Sequence, residues 1–273
     1  MEHETIEPIG IVRSEVKDRK SMPPFGVPAR VELFPKYGTG LRHLEKHSHL
    51  WVIAWLHEAE RERLLVAPRG VSVQDETTLH GVFAVRSPTR PNPLALTAAR
   101  IERIEATTVW LDKLDFIEGT PVIDLKPYFR SRDAIYSARS VPIGQPDSRQ
   151  AMLVSILSQA EHFHGERCGG LALAARIVEH LRSGFLDYAE AFGLTVTLPE
   201  RSGCLIDCIM GLAGASFGDR TLQFHRHNAI LFSGKRKSYG YQLLEPGCRW
   251  KSWEELTCEE ILQLEEAELF TLI

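Results

Sequence analysis

The chain changes character near residue 140, and this change constrains its fold more than any other feature. The segment from Ser140 to Asp147 contains two prolines and one glycine but few apolar residues, which is typical of a linker. All five cysteines follow this segment. The length of 273 residues also exceeds that of most single domains. The sequence therefore predicts two domains, residues 1–140 and residues 150–273.

The segment before the linker has the pattern of short strands separated by turn residues. The strands are β-branched or alternate in polarity, and they are predicted at residues 9–12, 29–33, 50–56, 81–85, 94–104, 108–114 and 121–125. Many strands without long helices between them favour an all-β antiparallel barrel over a doubly wound sheet. No G-x-G-x-x-G string follows a strand, so a dinucleotide site is not predicted.

The segment after the linker is expected to form an α+β domain. Its helical patterns cover residues 147–162, 170–183 and 205–213, and its strand patterns cover residues 221–224, 229–232 and 239–243. Thr257 and Glu260 have the spacing of a capping box, which predicts a last helix. Because the number of cysteines is odd, we do not expect a disulfide framework.

Charge and hydropathy exclude several classes of protein. The formal net charge is −4, and the acidic excess lies in residues 146–273, which carry 12 basic and 17 acidic side chains. Neither half is a broad basic surface of the kind that binds phosphate backbones, although a local patch is compatible with the composition. No apolar run reaches the roughly 18 residues that span a membrane, and the N-terminus is polar. We therefore expect a cytoplasmic protein with no membrane partner.

Residues 86–93, Arg-Ser-Pro-Thr-Arg-Pro-Asn-Pro, form the most unusual segment. Prolines fix φ and lack an N–H, so the segment is predicted to be a stiff loop between two strands. Arg86 and Arg90 on such a loop are pre-organised donors for a carboxylate, a phosphate or a nucleobase edge. The alternative is a rigid turn with solvated arginines.

Two further clusters contain titratable residues. Asp115 and Asp124 flank a Gly-Thr-Pro turn and could face one pocket, or they could be surface acids of an ordinary hairpin. His47, His49 and His57 lie close together in sequence, but neither a cysteine nor a tight set of carboxylates accompanies them. We therefore predict no metal site at these histidines.

Five strings occur in an order that resembles the TrmO family, also called the TsaA-like or YaeB-like family. They are PIGIVRS at residues 8–14, HLW at 49–51, VFAVRSP at 82–88, RPNPL at 90–94 and EGTPVIDLKPY at 118–128. The resemblance covers about residues 5–135. It implies a single-sheet β-barrel that binds S-adenosylmethionine, works as a homodimer and methylates the exocyclic nitrogen of threonylcarbamoyladenosine beside the tRNA anticodon.

The same resemblance implies site residues. S-adenosylmethionine needs a partner for its carboxylate, an acid for its ammonium group and apolar walls. The implied cofactor contacts are Pro24, Phe25, His57, Glu58, Arg86, Ser87, Arg90, Asn92, Leu96, Lys113, Leu114 and Asp115, of which the first two lie in a loop that matches the family poorly. Asp124, Lys126 and Tyr128 match the last string and are the candidate catalytic residues.

The second half resembles the FmdE-like family, over roughly residues 150–273. The likeness is carried by FHGERCGGLAL at residues 163–173, by CLIDCI and the glycine-rich GLAGASFG that follow from residue 204, and by the C-terminal tail. That family's site has the string His-Gly-His-x-x-Cys-Pro-Gly and a later cysteine, and often binds a transition metal such as zinc.

This chain keeps only part of that metal pattern. His164, Cys168 and Cys204 are present, whereas Glu166 replaces the second histidine and a glycine replaces the proline. The three kept residues are the predicted metal ligands, with Cys208, Glu166 or water completing a tetrahedron. The alternative is a degenerate site with buried free cysteines.

The leading functional prediction is a methyltransferase that uses S-adenosylmethionine and acts on a modified tRNA adenosine. Because a fold does not fix a substrate, a second enzymatic reading is methyl transfer to a small-molecule or thiol acceptor presented by the FmdE-like domain. A third reading is a non-catalytic module that senses the cofactor or handles a metal.

Overall fold

The computed structural model describes most of the chain, in two compact units. The described residues are 5–68, 78–135, 138, 143, 146, 148–186, 193–200, 203–235, 237–245, 253 and 255–273. The first unit contains the described residues up to 138, and the second contains those from 143 onward. Within this described part, no helix is both long and apolar enough to cross a bilayer.

The first unit is a closed barrel of six antiparallel strands, which confirms the predicted fold class. Its strands follow one another around the barrel in the order β1-β2-β7-β6-β3-β8. They are β1 (Gly10–Ser14), β2 (Val27–Leu33), β3 (His49–Trp55), β6 (Leu94–Glu105), β7 (Thr108–Leu114) and β8 (Pro121–Pro127). Two 3₁₀ segments, Pro35–Leu41 and Leu44–Lys46, precede β3, and a short helix α1 (Arg130–Asp133) follows β8.

Alternate residues of the strands fill the barrel. In β3 the side chains of Leu50, Val52 and Ala54 are fully buried, whereas Trp51 between them is partly exposed. Side chains of successive strand residues point to opposite faces, so this alternation divides each strand into a core face and an outer face. The outer face carries the candidate catalytic residues described below.

The strand predicted at residues 81–85 is wrong apart from its first residue. Only the two-residue strands β4 (Leu65–Val66) and β5 (His80–Gly81) pair here, and the chain then enters a turn in which the Ala84 N–H donates to the Gly81 carbonyl at 2.8 Å. The side chain of Arg90 binds the carbonyls of this turn, as described below. A side chain thus satisfies carbonyls that a strand would pair with a neighbour, and β-propensity alone does not reveal this.

The second unit packs helices against a mixed sheet, which confirms the predicted α+β class. Its strands have the order β10-β9-β11-β12-β13, and only the β9–β10 pair is parallel. The helices are α2 (Arg149–His164), α3 (Gly169–Gly184), α4 (Gly203–Ala213), α5 (Cys258–Gln263) and α6 (Glu266–Leu269); the strands are β9 (Thr195–Pro199), β10 (Leu222–His225), β11 (Ala229–Ser233), β12 (Ser238–Leu243) and β13 (Phe270–Leu272).

Local capping explains where several of these helices begin. The Ser148 hydroxyl accepts from the Ala151 N–H at the start of α2. The capping box predicted at Thr257 and Glu260 is confirmed at the start of α5. The sequence did not predict strands β9 and β13, which are five and three residues long.

An ion pair between an exposed arginine and a buried carboxylate joins α2 to α3. Two guanidinium nitrogens of Arg149 donate to the two carboxylate oxygens of Glu179 at 2.7 and 2.8 Å, and the Glu179 side chain is only 4% exposed. Burial alone would raise the pKa of the Glu179 carboxyl, but hydrogen bonds from Arg149 and Ser183 hold it below its ordinary value. Glu179 is therefore charged at neutral pH, and its buried carboxylate depends on Arg149 for a compensating positive charge.

We expect Arg149→Met to lower the free energy of unfolding by about 3 kcal/mol at pH 7, because it leaves a buried carboxylate without its partner. The loss should be measured by urea denaturation. Because the native pKa of Glu179 is lowered, the stabilisation is present above the unfolded pKa of about 4.3 and is lost as the pH falls through the native value. The difference between wild type and variant should therefore shrink in acid. The double variant Arg149→Met/Glu179→Leu should recover most of the loss; an equal loss in both variants would contradict this account.

Candidate functional site

Two of the implied cofactor segments meet where β3 ends and β6 begins. His57 and Glu58 follow β3, and residues 86–93 lead into β6. The two segments are joined by main-chain hydrogen bonds, from the Leu56 N–H to the Pro93 carbonyl at 2.8 Å and from the Arg90 N–H to the Glu60 carbonyl at 3.2 Å. His57 Nε2 lies 3.9 Å from Glu58 Oε1, and both side chains are exposed.

Arg90 supports the proline-rich loop from within. Its Nε donates to the Ser87 carbonyl at 2.9 Å, and its Nη2 donates to the carbonyls of Val82 at 2.9 Å and Val85 at 2.6 Å. These bonds use most of the donors on one edge of the guanidinium. Of the two arginines that the sequence singled out, Arg90 is therefore the one that holds the loop in shape.

Arg86 is the arginine that faces solvent. Its side chain is exposed, and within the described part of the chain its guanidinium makes no hydrogen bond or ion pair. Of its neighbours, Asn92 is also exposed, whereas the Ser87 hydroxyl accepts from the Thr89 N–H at 3.2 Å. The loop thus presents one unpaired cationic group on a support that Arg90 fixes.

The register of the sheet places a cofactor candidate and a catalytic candidate in one row. Ile53 of β3 pairs with Leu96 of β6 on one side and with Asp124 of β8 on the other. Neighbouring strands lie about 4.8 Å apart, so the Cα atoms of Leu96 and Asp124 are about 10 Å apart across the outer face. Leu96 is 45% exposed, although it is apolar.

A β-bulge turns Asp124 outward. Ile53 pairs with Asp124, but the next residue, Ala54, pairs with Val122, so Ile123 is the additional residue. In a regular strand Val122 and Asp124 would share a face. Here Val122 is buried in the core and Asp124 is on the outer face. The simple alternation of this string does not predict that arrangement.

The three catalytic candidates lie along β8 and just beyond it. Lys126 Nζ is 2.6 Å from Asp124 Oδ2, and both side chains are more than one third exposed. The Tyr128 ring lies 5.5 Å from the Trp51 ring and 6.4 Å from the His49 ring, measured between centroids. Burial lowers the pKa of His49. The outer face therefore combines an ion pair with an aromatic platform.

The remaining implied contacts surround the end of β7. Asp115 is exposed and accepts from the Thr97 hydroxyl at 2.6 Å. Thr97 pairs with the core residue Val52, so it lies on the core side of β6, and Asp124 lies on the outer side. The structure thus does not bring Asp115 and Asp124 to one face of the sheet.

Lys113 is half-buried beside Asp115, whereas the Leu114 side chain is fully buried in the barrel core. Only the backbone of Leu114 remains for a ligand. The loop with Pro24 and Phe25 reaches this point because Gly26 has φ +80 and its missing Cβ would overlap the Leu114 carbonyl. The loop that matches the family poorly is thereby held against the implied contacts on β7.

An open groove of about 780 Å³ lies elsewhere on the barrel, and the sequence did not indicate it. One of its lining residues, Trp110, lies close to Arg30 and Arg103, whose guanidinium carbons are 4.9 and 3.8 Å from the ring centroid. The arginines are already paired, for example Arg30 with Glu32 at 3.0 Å. The groove contains none of the candidate site residues.

The three predicted metal ligands come together in the second unit. His164 ends α2, Cys168 is the N-cap of α3 and Cys204 lies in the first turn of α4. One ligand atom from each residue lies within 4.8 Å of the other two. Cys168 Sγ and His164 Nε2 are 3.5 Å apart. Helix ends that converge from three elements thus build one cluster of a nitrogen and two sulfurs.

This donor set fits a tetrahedral transition metal. With Zn–S and Zn–N bonds of about 2.3 and 2.05 Å, the sulfur and nitrogen of a tetrahedral site lie about 3.6 Å apart, close to the separation observed. Of the proposed fourth ligands, Cys208 is buried in the core, and burial raises the pKa of its thiol. Glu166 Oε1 lies 3.9 Å from His164 Nε2 and is accessible.

Sequence reasoning missed Asp207. Its Oδ2 lies 3.4 Å from His164 Nδ1, on the opposite side of the ring from Cys168. The signal that was available is the spacing from Cys204, since residues three apart share a helix face. A carboxylate on the face of a predicted ligand was thus visible in the sequence, whereas its proximity to His164 required the packing of α2 against α4.

Two family models match the chain. The tRNA-methyltransferase O N-terminal domain matches residues 11–134. FmdE, described from a molybdenum formylmethanofuran dehydrogenase operon, matches residues 163–269. Both resemblances drawn from the motifs are thereby confirmed.

Curated relatives support the same assignment. A probable S-adenosyl-L-methionine-binding protein of Archaeoglobus fulgidus is 32% identical over 78% of this chain and 59% of the relative. RcsF of Pseudomonas aeruginosa, a putative S-adenosylmethionine-dependent methyltransferase, is 38% identical over 60% of this chain and 71% of the relative. A tRNA (adenine(37)-N6)-methyltransferase of Mus musculus is 35% identical over 38% of this chain and 24% of the relative.

These relatives define a class of S-adenosylmethionine-binding proteins. Within that class, the chain belongs to the TrmO family, and a second, FmdE-type domain follows its barrel. The chain spans less than two thirds of the Archaeoglobus relative. A crystal structure of TrmO is 32% identical over 51% of this chain and 61% of that chain, with a TM-score of 0.42.

We expect Arg90→Ala to lower the free energy of unfolding by about 1–3 kcal/mol, because the carbonyls of Val82, Val85 and Ser87 lose their donor. Hydrogen exchange should accelerate in residues 82–92, and thermal denaturation should measure the global loss. Arg86→Ala is the matched control and should leave both quantities unchanged. Equal stability of the two variants would contradict the supporting role of Arg90.

Proposed function

We propose that this protein is a methyltransferase that uses S-adenosylmethionine and methylates the exocyclic nitrogen of an adenosine in tRNA, with threonylcarbamoyladenosine beside the anticodon as the acceptor. Family membership and the name of the mouse relative support the reaction class. The observation that carries the proposal is that two implied cofactor segments, residues 57–58 and residues 86–93, are held together where β3 ends and β6 begins. The choice of tRNA as the acceptor is supported by the name of the mouse relative and by the family resemblance.

The implied contacts fit the cofactor chemically. At the junction, Arg86 offers a guanidinium that no described residue pairs, and Leu96 offers an exposed apolar surface. Asp115, beyond the end of β7, offers a carboxylate for an ammonium group. Such a combination of charged ends and an apolar wall suits a ligand that is itself zwitterionic and partly apolar. S-adenosylmethionine supplies an electrophilic methyl group bound to a positively charged sulfur.

The acceptor side lies in the same row of the sheet as Leu96, on β8, with β3 between them. With S-adenosylmethionine bound, its methyl group would pass to the acceptor nitrogen and S-adenosylhomocysteine would leave, and that nitrogen would lose one proton. Asp124 is the candidate acceptor of that proton, with Lys126 at 2.6 Å to orient its carboxylate. Trp51 and Tyr128 offer aromatic faces for the nucleobase, since stacking on aromatic side chains is a common mode of RNA recognition.

We expect Arg86→Ala to weaken S-adenosylmethionine binding by about tenfold or more, because a hydrogen bond to a charged group contributes about 1.5–3 kcal/mol. Calorimetry on the purified full chain should measure this change. Arg42→Ala removes another exposed arginine and should bind like wild type. Wild-type protein without S-adenosylmethionine binding would overturn the cofactor assignment.

The acceptor is tested with the same proteins. Wild type should transfer a labelled methyl group from S-adenosylmethionine to total tRNA, and Arg86→Ala should transfer it more slowly at limiting cofactor. Unlabelled tRNA together with a labelled thiol or metabolite fraction would replace the tRNA proposal by the small-molecule acceptor. Binding without transfer to any acceptor would favour a cofactor-sensing module.

The homodimer implied by the family resemblance stays a prediction.

We also propose that the second unit binds one transition-metal ion, with zinc as the first candidate, through His164, Cys168 and Cys204. The arrangement of one nitrogen and two sulfurs supports this assignment, because thiolate and imidazole together favour zinc over harder cations. The metal would add a Lewis-acidic centre with a fourth position beside Glu166.

We expect His164→Ala to lose the metal, because two thiolates alone form an incomplete tetrahedral site. Elemental analysis of protein purified without chelators should show about one metal per chain in wild type and a much lower content in the variant. His162→Ala is the control, since His162 is exposed and two residues away on the same helix. Metal-free wild type would favour a degenerate site.

A further inference from the structure

The His164 ring lies between two carboxylates, one at each nitrogen. Asp207 Oδ2 is 3.4 Å from Nδ1, and Glu166 Oε1 is 3.9 Å from Nε2. The ring itself is only 10% exposed. Its Nδ1 is fully buried, and among the described residues it makes no hydrogen bond in this structure. A buried imidazole N–H needs an acceptor, and Asp207 is the group that lies in reach.

We propose that Asp207 is a positioning residue for the metal site, which accepts the Nδ1–H of His164 and thereby makes Nε2 the ligand atom. This inference rests on the metal binding proposed above. Neutral imidazole carries its proton on one nitrogen only, so an acceptor at Nδ1 leaves the lone pair on Nε2. Nε2 is the nitrogen that faces Cys168, at 3.5 Å.

The first turn of α4 provides both the ligand and its support. Cys204 and Asp207 are three residues apart and share one face of the helix. This turn is fixed against α3, because a Cβ on Gly170 would lie 2.7 Å from the Cβ of Cys204. The contact therefore admits only a glycine at position 170. A rigid turn holds the sulfur of Cys204 and the carboxylate of Asp207 in a constant relation to the ring of His164.

The two carboxylates differ in what they can do. Glu166 follows α2, is 73% exposed and lies on the Nε2 side, where the metal would be. It is therefore placed as a fourth ligand or beside one. Asp207 is separated from that position by the imidazole ring. Acceptors behind a metal-bound histidine fix its tautomer and orientation, and their loss commonly weakens metal affinity by about 10- to 100-fold.

Cobalt(II) binding to the full-length protein tests the role of Asp207. We expect Asp207→Ala to bind cobalt(II) about 10- to 100-fold more weakly than wild type, with an unchanged stoichiometry and an unchanged thiolate-to-cobalt absorption band, since both cysteines remain. Asp207→Asn keeps an acceptor without the charge and should lie between the two. Asp207 is 56% exposed, so these substitutions should fold.

The control and a second readout separate positioning from charge. Asp219→Asn removes an exposed carboxylate beyond the far end of α4 and should bind cobalt(II) like wild type. In metal-free protein, long-range ¹H–¹⁵N spectra should place the proton of His164 on Nδ1 in wild type, and Asp207→Ala should lose this preference. A wild-type proton on Nε2 would overturn the inference.

The outcomes distinguish the two proposals. Wild-type protein that binds no cobalt(II) would refute the metal site and, with it, the role of Asp207. Wild-type binding with equal affinity in Asp207→Ala would refute only the role of Asp207. An equal loss in Asp207→Ala and Asp219→Asn would assign the effect to overall charge and would also refute it.

Discussion

The register of β3 against its two neighbours positions most of the candidate site on the barrel. Because Ile53 lies opposite Leu96 on one side and Asp124 on the other, one row of the sheet relates an implied cofactor contact to a candidate catalytic carboxylate. The same register brings the end of β3 beside the start of β6, where the proline-rich loop is attached. A slip of one residue would exchange the core and outer faces of β3, so the burial of Leu50 and Val52 also protects the geometry of the site.

Much of the barrel could be predicted from sequence because its strands obey simple rules. Alternation identified β3 and β7, and three prolines identified the stiff loop before β6. What could not be predicted depends on long-range contacts. The bulge at Ile123 becomes evident only when β8 is paired with β3. That Arg90 rather than Arg86 supports the loop depends on the positions of the Val82 and Val85 carbonyls in the folded loop.

In the second unit, too, the sequence does not reveal the features that depend on long-range contacts. The motif identified His164, Cys168 and Cys204, and the structure brings all three together. It did not identify Asp207, which belongs to the site only because α2 and α4 pack side by side. Cys208, by contrast, matched the helical spacing but is a core residue. Spacing along α4 thus predicted which residues share a helix face. Which of their side chains reach the cluster of His164, Cys168 and Cys204 depends on how α4 packs against α2.

Cys168 has two roles that depend on the same sulfur. Its Sγ accepts the Leu171 N–H and so caps the 16-residue helix α3, while it also lies against His164. Any chemistry at this sulfur, whether a bound ion, oxidation or alkylation, alters the hydrogen bond that begins the helix. The order of the first turn of α3 therefore depends on the chemical state of the Cys168 thiol.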